Sequence, residues 1–579
     1  MKLSVQNNGF LKHDELFRTT VSDRIDVEFA DGGMRVTLQI DGSLGEKESF
    51  SIVGAGQNWT VTGSDELGLY FGIGKFLHTA TWSEVDFAPK ATDGVVSPEC
   101  HFRAMYFATH FYNFYHAGTA EALKQYVDDM LLWGYNTVLC IIPVITLNGD
   151  DPNFPVEVER VKKIFKAAKE RGMRIGMLIC VNQGFMDAPD HLISELPDDL
   201  TYRGDYGRNI CISKPDGLAY MRRVWQKMLG AFREEGLEYI VAWPYDEGGC
   251  GCKDCRPWGA RGFLNASIEL RGEALKLYPD AKFIISTWAF DVPDDEGEFD
   301  GLYKRLKGDM SWADALMVDA HREYPRYPLE HEKIKPIVNF PEISMWGLKP
   351  WGGYGANPLP ERFQRIWNDS KAILDGGLPY SEGIYEDISK IQFSGYYWEK
   401  DRSWTDILTE YVNYEYSSDP AVAEDALELM RLIEINHAKC SIQNKLQPDM
   451  DAAEKAKDLA EKINASLSDK RKHAWRWRIL YIRAIVDYKR YRAYLDLPEA
   501  ERPPISDIAY GADLLLHDSE AQEYFRELIG YYHCVPFNGK NVWTLPPFGG
   551  SISRDKIKVP DRRDQAKKSG KNAVLGNEG

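Results

Sequence analysis

Between Arg103 and about residue 400, short apolar runs alternate with longer segments in which apolar residues recur at helical spacing. The runs are typical of buried parallel strands, and the longer segments are typical of helices that cover them. The predicted strands are Arg103–Thr109, Thr137–Pro143, Arg174–Val181, Tyr239–Tyr245, Lys282–Trp288, Ala315–Asp319, Pro336–Phe340 and Leu378–Ile384. Eight such units over about 300 residues predict an α/β fold of the (β/α)8 TIM barrel type rather than an open doubly wound sheet.

The segments on either side of this region follow other patterns. Short β-type runs such as Met34–Ile40, followed by a helical stretch at Gly68–Leu77, predict a small N-terminal α/β domain. Beyond about Trp404 only helical patterns such as Ala421–Asn436 and Ala452–Leu467 remain. The predicted domains are residues 1–100 (α/β), 101–400 (catalytic barrel), 401–550 (α-helical) and 551–579 (a disordered tail poor in apolar residues).

The composition narrows the class of partner. With a net charge of −18, the chain lacks the positive field that nucleic acids and anionic membranes require, so neither is expected as a partner. Its strongest apolar run, near Val138–Ile145, is too short to span a bilayer. The N-terminus has no apolar signal sequence, which predicts a cytoplasmic protein. A homodimer is left open.

Nine cysteines are too few and too odd in number for a disulfide framework. Three of them, Cys250, Cys252 and Cys255, form a Cys-x-Cys-x-x-Cys motif after the predicted fourth strand. Cys211 follows the third strand, and neighbouring loops of a barrel adjoin, so it can complete a tetrahedral set for a structural zinc ion. Free buried cysteines or a redox-labile pair are the alternatives. No cofactor is expected in catalysis, because four thiolates leave no open position on the metal.

Barrel enzymes carry their active sites at the carboxyl ends of the strands, so the residues after each apolar run are the candidates. Acids and aromatics accumulate there. The predicted substrate-binding residues are His110, Asn182, Tyr245, Trp288, Asp319, His321, Glu342, Trp346, Trp351 and Tyr385. For the three tryptophans, plain packing is the alternative.

A mouth of acids and indoles, without a Gly-rich phosphate loop, suits cleavage of a glycosidic bond. Glu247 is the predicted general acid/base and Asp246 its orienting neighbour. Adjacent strand residues point to opposite faces, so a second carboxylate has to come from another strand end. Glu382 is the first candidate, and Glu342 and Asp319 are the others, each with an ion-pair or hydrogen-bonding role as the alternative.

An α/β N-terminal domain followed by a barrel whose fourth strand ends in Asp246-Glu247 resembles glycoside hydrolase family 20, the β-N-acetylhexosaminidases. The resemblance implies that Glu247 is the acid/base and that Asp246 orients the substrate's acetamido group, which acts as the nucleophile in a retaining mechanism. The family's His/Gly-Gly run before the acidic pair is replaced by Trp243-Pro-Tyr. The helical C-terminal region instead resembles that of α-glucuronidases and of family 84. These departures indicate a divergent glycosidase family.

The predicted function is therefore an exo-acting glycoside hydrolase that acts on an oligosaccharide or glycoside. One alternative is an inverting glycosidase for uronic acids, which requires a basic residue such as Arg103, His110 or Arg322 at the pocket and carboxyl groups about 6.5–9.5 Å apart. Another is a non-catalytic carbohydrate-binding barrel.

Overall fold

The computed structural model describes residues 1–110, 113–144, 147–195, 208–244, 249–291, 297–309, 311–320, 323–343, 356–440, 444–502, 515 and 517–530. The predicted disordered tail, residues 551–579, lies outside this part of the chain.

The N-terminal region is a five-stranded, mostly parallel sheet with two helices. Its elements are β1 Lys2–Gln6, α1 Leu11–Ser22, β2 Glu28–Phe29, β3 Met34–Ile40, β4 Phe50–Ala55, β5 Asn58–Gly63 and α2 Glu66–His78. The strand order is β2-β1-β3-β5-β4, in which only β4 runs antiparallel to its neighbour. A short two-stranded ribbon follows, with β6 Thr81–Trp82 and β7 Phe87–Ala88.

Helix α2 contains glycines because it packs very close to its neighbours on more than one side. Asp65 caps the helix by accepting a hydrogen bond from the Gly68 amide. A Cβ atom on Gly74 would lie 1.9 Å from the carbonyl oxygen of Leu132, so only glycine fits there. The Gly-rich spacing at Gly68–Leu77 is thus a helix, as the sequence predicts.

Eight parallel strands close into a barrel, which confirms the predicted fold class. The strands of this region are β8 Phe102–Phe107, β9 Thr137–Cys140, β10 Arg174–Cys180, β11 Gln183–Gly184, β12 Arg208–Asn209, β13 Tyr239–Trp243, β14 Lys282–Ser286, β15 Ala315–Ala320, β16 Ile337–Pro341, β17 Gly376–Gly377 and β18 Tyr380–Ser381. The barrel order is β8, β9, β10, β13, β14, β15, β16 and then β17 with β18, which together form the eighth strand and pair back onto β8. Strands β11 and β12 form a separate antiparallel ribbon above β10.

The closing seam between the eighth strand and β8 is built from glycine. A Cβ on Gly376 would lie 1.9 Å from the Phe102 carbonyl oxygen, and a Cβ on Gly377 would lie 1.7 Å from Oδ1 of Asn339. Gly376 also has a φ of 149°. The seam therefore tolerates no side chain at either position.

Helices cover the outside of the barrel and continue into an all-helical C-terminal region. They are α3 Phe114–Ala117, α4 Ala120–Leu132, α5 Asn153–Glu170, α6 Pro215–Gly230, α7 Gly262–Leu277, α8 Glu298–Gly308, α9 Arg326–Glu330, α10 Pro360–Ser370, α11 Asp387–Trp398, α12 Trp404–Glu415, α13 Pro420–Cys440, α14 Met450–Ser466, α15 Asp469–Lys472, α16 Trp475–Asp496 and α17 Ser519–Gly530, with 3₁₀ turns at Asp190–Leu192 and Glu499–Glu501. Arg476 docks α16 on the barrel by donating to Asp387 and Asp129 at 2.8 and 2.9 Å. In the described part of the chain, no helix is both long and apolar enough to cross a membrane.

The N-terminal sheet is joined to the amino end of the barrel through one buried carboxylate. Glu48 accepts hydrogen bonds from Arg103 at 2.7 Å, from Arg174 at 2.6 Å and from Asn136 at 2.8 Å. Burial alone raises the pKa of Glu48, but the charges of Arg103 and Arg174 more than offset it, so the pKa lies below its usual value. Arg103 is therefore fully engaged at the end of the barrel remote from the mouth. The suggestion that it faces a uronic-acid pocket is wrong, because its position on β8 turns it outward.

Candidate active site

An aromatic layer forms the floor of the barrel mouth. Trp243 at the end of β13 stacks on Trp288, with ring centroids 5.2 Å apart, and its ring centroid is 4.9 Å from that of Phe340 on β16. Phe340 in turn contacts Tyr380 of the eighth strand and Tyr106 of β8, each at 5.7 Å between centroids. We call these five residues the aromatic floor. It seals the apolar barrel interior and presents aromatic edges and polar tips toward the mouth.

Three carboxylates stand above this floor at the ends of three consecutive strands. Met317, Phe340 and Tyr380 point into the barrel. Because side chains alternate along a strand, Asp319, Glu342 and Glu382, each two residues further on, continue the same inward-facing rows. Asp319 and Glu342 are buried, with 5% and 1% of their surface exposed, and Glu382 is half-buried. The structure thus gathers at one rim the three acids that the sequence offers as partners for Glu247.

Tyr380 connects the floor to these acids. Its hydroxyl donates a hydrogen bond to Oε1 of Glu382 at 2.7 Å, and its backbone forms a parallel bridge with Glu342. Burial, together with the nearby charges of Glu382 and Glu342, raises the pKa of the Tyr380 phenol well above its usual value. The pKa of Tyr106 is raised in the same way, first by burial and then by neighbouring thiols and the same two carboxylates. Burial and the neighbouring carboxylates thus favour the protonated phenol at both positions, and the Tyr380 hydroxyl is the donor to Glu382.

His110 lies at the same rim, at the end of the first barrel strand. Its Nδ1 is 3.4 Å from the Tyr106 hydroxyl. The imidazole is half-buried and follows Ala108 in the inward-facing row of β8. The predicted substrate-binding residue His110 thus lies next to the floor. It follows β8, the strand that pairs with β18, and Glu382 comes directly after β18.

Two other predicted substrate contacts are occupied by the protein itself. The Asn182 side-chain amide donates to the carbonyls of Ile210, at 3.3 Å, and Gly249, at 3.4 Å, so it bridges the chain segments that follow β12 and β13. The Tyr385 hydroxyl donates to the Leu528 carbonyl of α17 at 2.8 Å. Asn182 acts on the shape of the site through Gly249, whereas Tyr385 anchors a C-terminal helix.

Several predicted residues lie outside the described part of the chain. They are the catalytic pair Asp246 and Glu247 and the substrate-binding candidates Tyr245, His321, Trp346 and Trp351. Their roles stay predictions. Their described neighbours are informative. Trp243, three positions before Asp246, belongs to the floor. Gly249, two positions after Glu247, has a φ of 126°, a conformation that favours glycine.

Sequence reasoning missed four members of the floor: Tyr106, Trp243, Phe340 and Tyr380. Most candidates were the residues that follow each apolar run, whereas these four residues lie within the runs. The alternation of side chains along a strand could have identified them. Each lies two residues before a candidate residue or before the last inward-facing position of its strand.

The four cysteines predicted as metal ligands come together beside the mouth. The sulfur atoms of Cys211, Cys250, Cys252 and Cys255 all lie within 4.8 Å of one another. Hydrogen bonds from the thiols of Cys250 and Cys255 hold the pKa of Cys211 well below its ordinary value, which favours a thiolate in the cluster. Ser213 adds a hydroxyl 2.9 Å from the Cys255 sulfur.

No protein-family model matches the sequence, and the comparison with curated proteins gives no match. Solved structures of glycoside hydrolases do share the fold. A GH138 enzyme targeting pectin rhamnogalacturonan II superposes with a TM-score of 0.56 at 14% identity, covering 92% of this chain and 72% of that one. A family 89 glycoside hydrolase from Clostridium perfringens, in complex with its substrate GlcNAc-α-1,4-galactose, superposes with a TM-score of 0.54 at 12% identity, covering 90% of this chain and 65% of that one.

The same Clostridium perfringens enzyme in complex with 2-acetamido-1,2-dideoxynojirimycin gives a TM-score of 0.54 at 14% identity, covering 84% of this chain and 61% of that one. The chain thus spans less than two thirds of the length of these family 89 structures. At such identities the likeness establishes a shared architecture: a (β/α)8 barrel of the kind found in these glycoside hydrolases.

Proposed function

We propose that the chain is an exo-acting glycoside hydrolase. The observation that carries the proposal is the row of carboxylates, Asp319, Glu342 and Glu382, at the carboxyl ends of three consecutive barrel strands above an aromatic floor. Hydrolysis of a glycosidic bond commonly uses carboxyl groups that flank the bond, together with a surface that holds the apolar face of a sugar. The shared architecture with glycoside hydrolases of families 138 and 89 supports the same conclusion.

In this proposal Glu247 protonates the departing glycosidic oxygen, and Asp246 orients the substrate. Glu382 supports the positive charge that develops at the anomeric carbon, because a carboxylate held in a partly buried site interacts strongly with that charge. Tyr380, which donates to Glu382, fixes the orientation of this carboxylate. The opposing acid and carboxylate then come from the fourth and eighth strands, on different sides of the barrel.

N-acetylhexosaminides are the first substrates to test. The Asp246-Glu247 doublet favours the acetamido-assisted, retaining mechanism that the resemblance to family 20 implies. The family 89 structure, which shares the barrel, holds a substrate that contains N-acetylglucosamine. In this mechanism the acetamido oxygen of the substrate attacks the anomeric carbon as the glycosidic bond breaks, and water later opens the cyclic intermediate.

The test is a panel of aryl glycosides assayed with the wild-type protein and three variants. Glu247→Gln should lower kcat by about 10²–10⁴-fold, the range that positioned acid–base groups contribute. Glu382→Gln should lower it by about 10²–10³-fold, the range for the loss of one electrostatic stabiliser of the transition state. Glu159→Gln, on the exposed surface of α5, is the matched control and should keep full activity.

Three results would count against the proposal or parts of it. Sugar binding without turnover of any glycoside indicates a non-catalytic binding barrel. Turnover that survives both glutamine substitutions places the chemistry elsewhere. A product released with inverted anomeric configuration, measured by NMR on an active substrate, excludes the acetamido-assisted mechanism.

A further inference from the structure

We propose that Cys211, Cys250, Cys252 and Cys255 bind one structural zinc ion that ties together the chain segments following the third and fourth barrel strands. The four residues come from two separate segments, one after β12 and one after β13. We call them the cysteine cluster. Zinc binding does not depend on the proposed glycosidase activity; only its consequence for catalysis does.

The spacing of the sulfur atoms fits a single tetrahedral ion. At the usual zinc–sulfur distance of about 2.3 Å, tetrahedral ligands lie about 3.8 Å from one another. The sulfurs of Cys211 and Cys252 are 3.8 Å apart, and all pairs in the cluster are within 4.8 Å. One ion can therefore contact all four sulfurs with only small side-chain movements.

Burial and ligand type favour zinc over harder ions. All four side chains are buried, with at most 8% of their surface exposed. Thiolates select soft or borderline metals, and a closed set of four is the arrangement of structural zinc sites. Among the described residues, no other group of three or more cysteine, histidine or acidic side chains is close enough to hold a metal ion.

The backbone around the cluster holds its two halves in register. The Cys211 amide donates to the Leu192 carbonyl at 2.9 Å, and the Gly251 amide donates to the Glu195 carbonyl at 2.7 Å. On the second segment the Cys255 amide donates to the Cys252 carbonyl at 3.1 Å, which closes a tight turn between these two cysteines. Loss of the thiol protons on metal binding would complete the site without rearranging these loops.

The position of the cluster gives the ion a positioning role. Gly249 and Cys250 directly follow the segment that contains Asp246 and Glu247. Asn182, at the end of the third strand, already bridges the two segments through the carbonyls of Ile210 and Gly249. A zinc ion in the cysteine cluster would hold the same two segments together. It would therefore fix the position of Gly249 and Cys250, which follow the proposed acid/base in the chain.

Metal analysis of the full-length protein tests the assignment. Protein purified without chelators should contain one zinc ion per chain by inductively coupled plasma mass spectrometry. Cys211→Ser and Cys252→Ser should each reduce the zinc content at least tenfold. Cys440→Ser, which changes a buried cysteine of α13 outside the cluster, should leave it unchanged. Iron in place of zinc, or no bound metal even after incubation with zinc under reducing conditions, would overturn the assignment.

A second measurement on the unaltered chain is independent of whether the variants fold. Protein exchanged with Co²⁺ should show the intense visible bands of tetrahedral cobalt and the thiolate-to-cobalt charge-transfer bands of a four-sulfur site. Weak octahedral bands, or no thiolate transitions, would contradict a four-cysteine site. Zinc content and cobalt spectra can be read even if no glycoside is hydrolysed, so failure of the proposed function and failure of this inference are distinguishable.

Discussion

At the scale of single residues, Tyr380 links the aromatic floor to the carboxylates of the mouth. Its ring belongs to the aromatic floor, and its hydroxyl donates to Glu382 at 2.7 Å. Hydrogen bonds to charged groups contribute more than those between neutral groups. Removal of the Tyr380 hydroxyl therefore changes the orientation of the Glu382 carboxylate, while the aromatic floor stays in place.

Tyr380→Phe is expected to lower kcat/KM about 10- to 100-fold on a substrate that the wild type hydrolyses, since a hydrogen bond to a carboxylate contributes about 1.5–3 kcal/mol. Steady-state kinetics provide the measurement. The control is Tyr278→Phe, which removes a similar buried hydroxyl whose 2.6 Å hydrogen bond to the Leu229 carbonyl lies among the covering helices. Equal losses in the two variants would show that the effect is one of stability rather than of the mouth.

Side-chain alternation determines how far residue roles could be predicted. Asp319, Glu342 and Glu382 are placed at the mouth because they continue rows that begin inside the barrel. Cys211 was predictable because loops of neighbouring strands adjoin. Tyr385 was not, because its partner is Leu528, 143 positions further along the chain in a helix that no local pattern connects to it.

At the scale of elements, two glycines within helices have very different surroundings. Gly74 in α2 faces the end of α4, with no room for a methyl group, whereas Gly272 in α7 has nothing within 4 Å of where its Cβ would be. Replacement by alanine removes backbone entropy from the unfolded chain in both cases. The two positions therefore separate intrinsic helix propensity from packing.

Gly272→Ala should stabilise the protein by about 0.5–1 kcal/mol, the usual cost of glycine in a helix. Gly74→Ala should destabilise it by about 1–3 kcal/mol, because the added methyl overpacks the contact with Leu132. Thermal unfolding followed by circular dichroism should show midpoints displaced in opposite directions. A rise in both midpoints would mean that α2 and α4 separate freely.

Strand starts were easier to predict than strand ends. The predicted starts at Thr137, Arg174, Tyr239 and Lys282 coincide with the structure, because a polar residue or a glycine lies within two positions before each start. The predicted ends deviate in both directions: Pro143 lies beyond the end of β9 at Cys140, whereas Asp319 lies one residue before the end of β15 at Ala320. Ile141 and Ile142, which follow β9, are as apolar and as buried as strand residues, so the sequence pattern does not mark where the strand ends.

At the scale of the whole molecule, the Glu48 network and the proposed catalytic acids lie at opposite ends of the barrel. The Glu48 network fastens the N-terminal sheet to the amino end of the strands, while the acids stand at the carboxyl end. This division matches the general behaviour of barrel enzymes, in which conserved features of the amino end serve stability. Changes at Glu48 should therefore affect unfolding and leave catalysis intact.

Glu48→Gln should destabilise the folded protein by about 3–5 kcal/mol at neutral pH, because Arg103 is left buried without its counter-ion. The folded pKa of Glu48 is lowered from 4.5, so the wild-type advantage is present above that value and is lost as the pH falls through the folded pKa. Unfolding midpoints measured across the acidic range should converge for the two proteins. Glu28→Gln, which breaks the exposed pair with Lys2, is the control and should cost at most about 1 kcal/mol.

The glycine seam that closes the barrel also sets the order in which the molecule can be completed. Phe102 pairs with Gly376, so the first strand cannot obtain its second neighbour until the chain has been synthesised past that residue. Until then β8 and β16 present unpaired edges, the kind of surface that recruits other strands and promotes aggregation. A nascent chain that ends before Gly376 leaves both edges exposed, whereas a chain that extends through Ser381 can cover both edges in a single closing step.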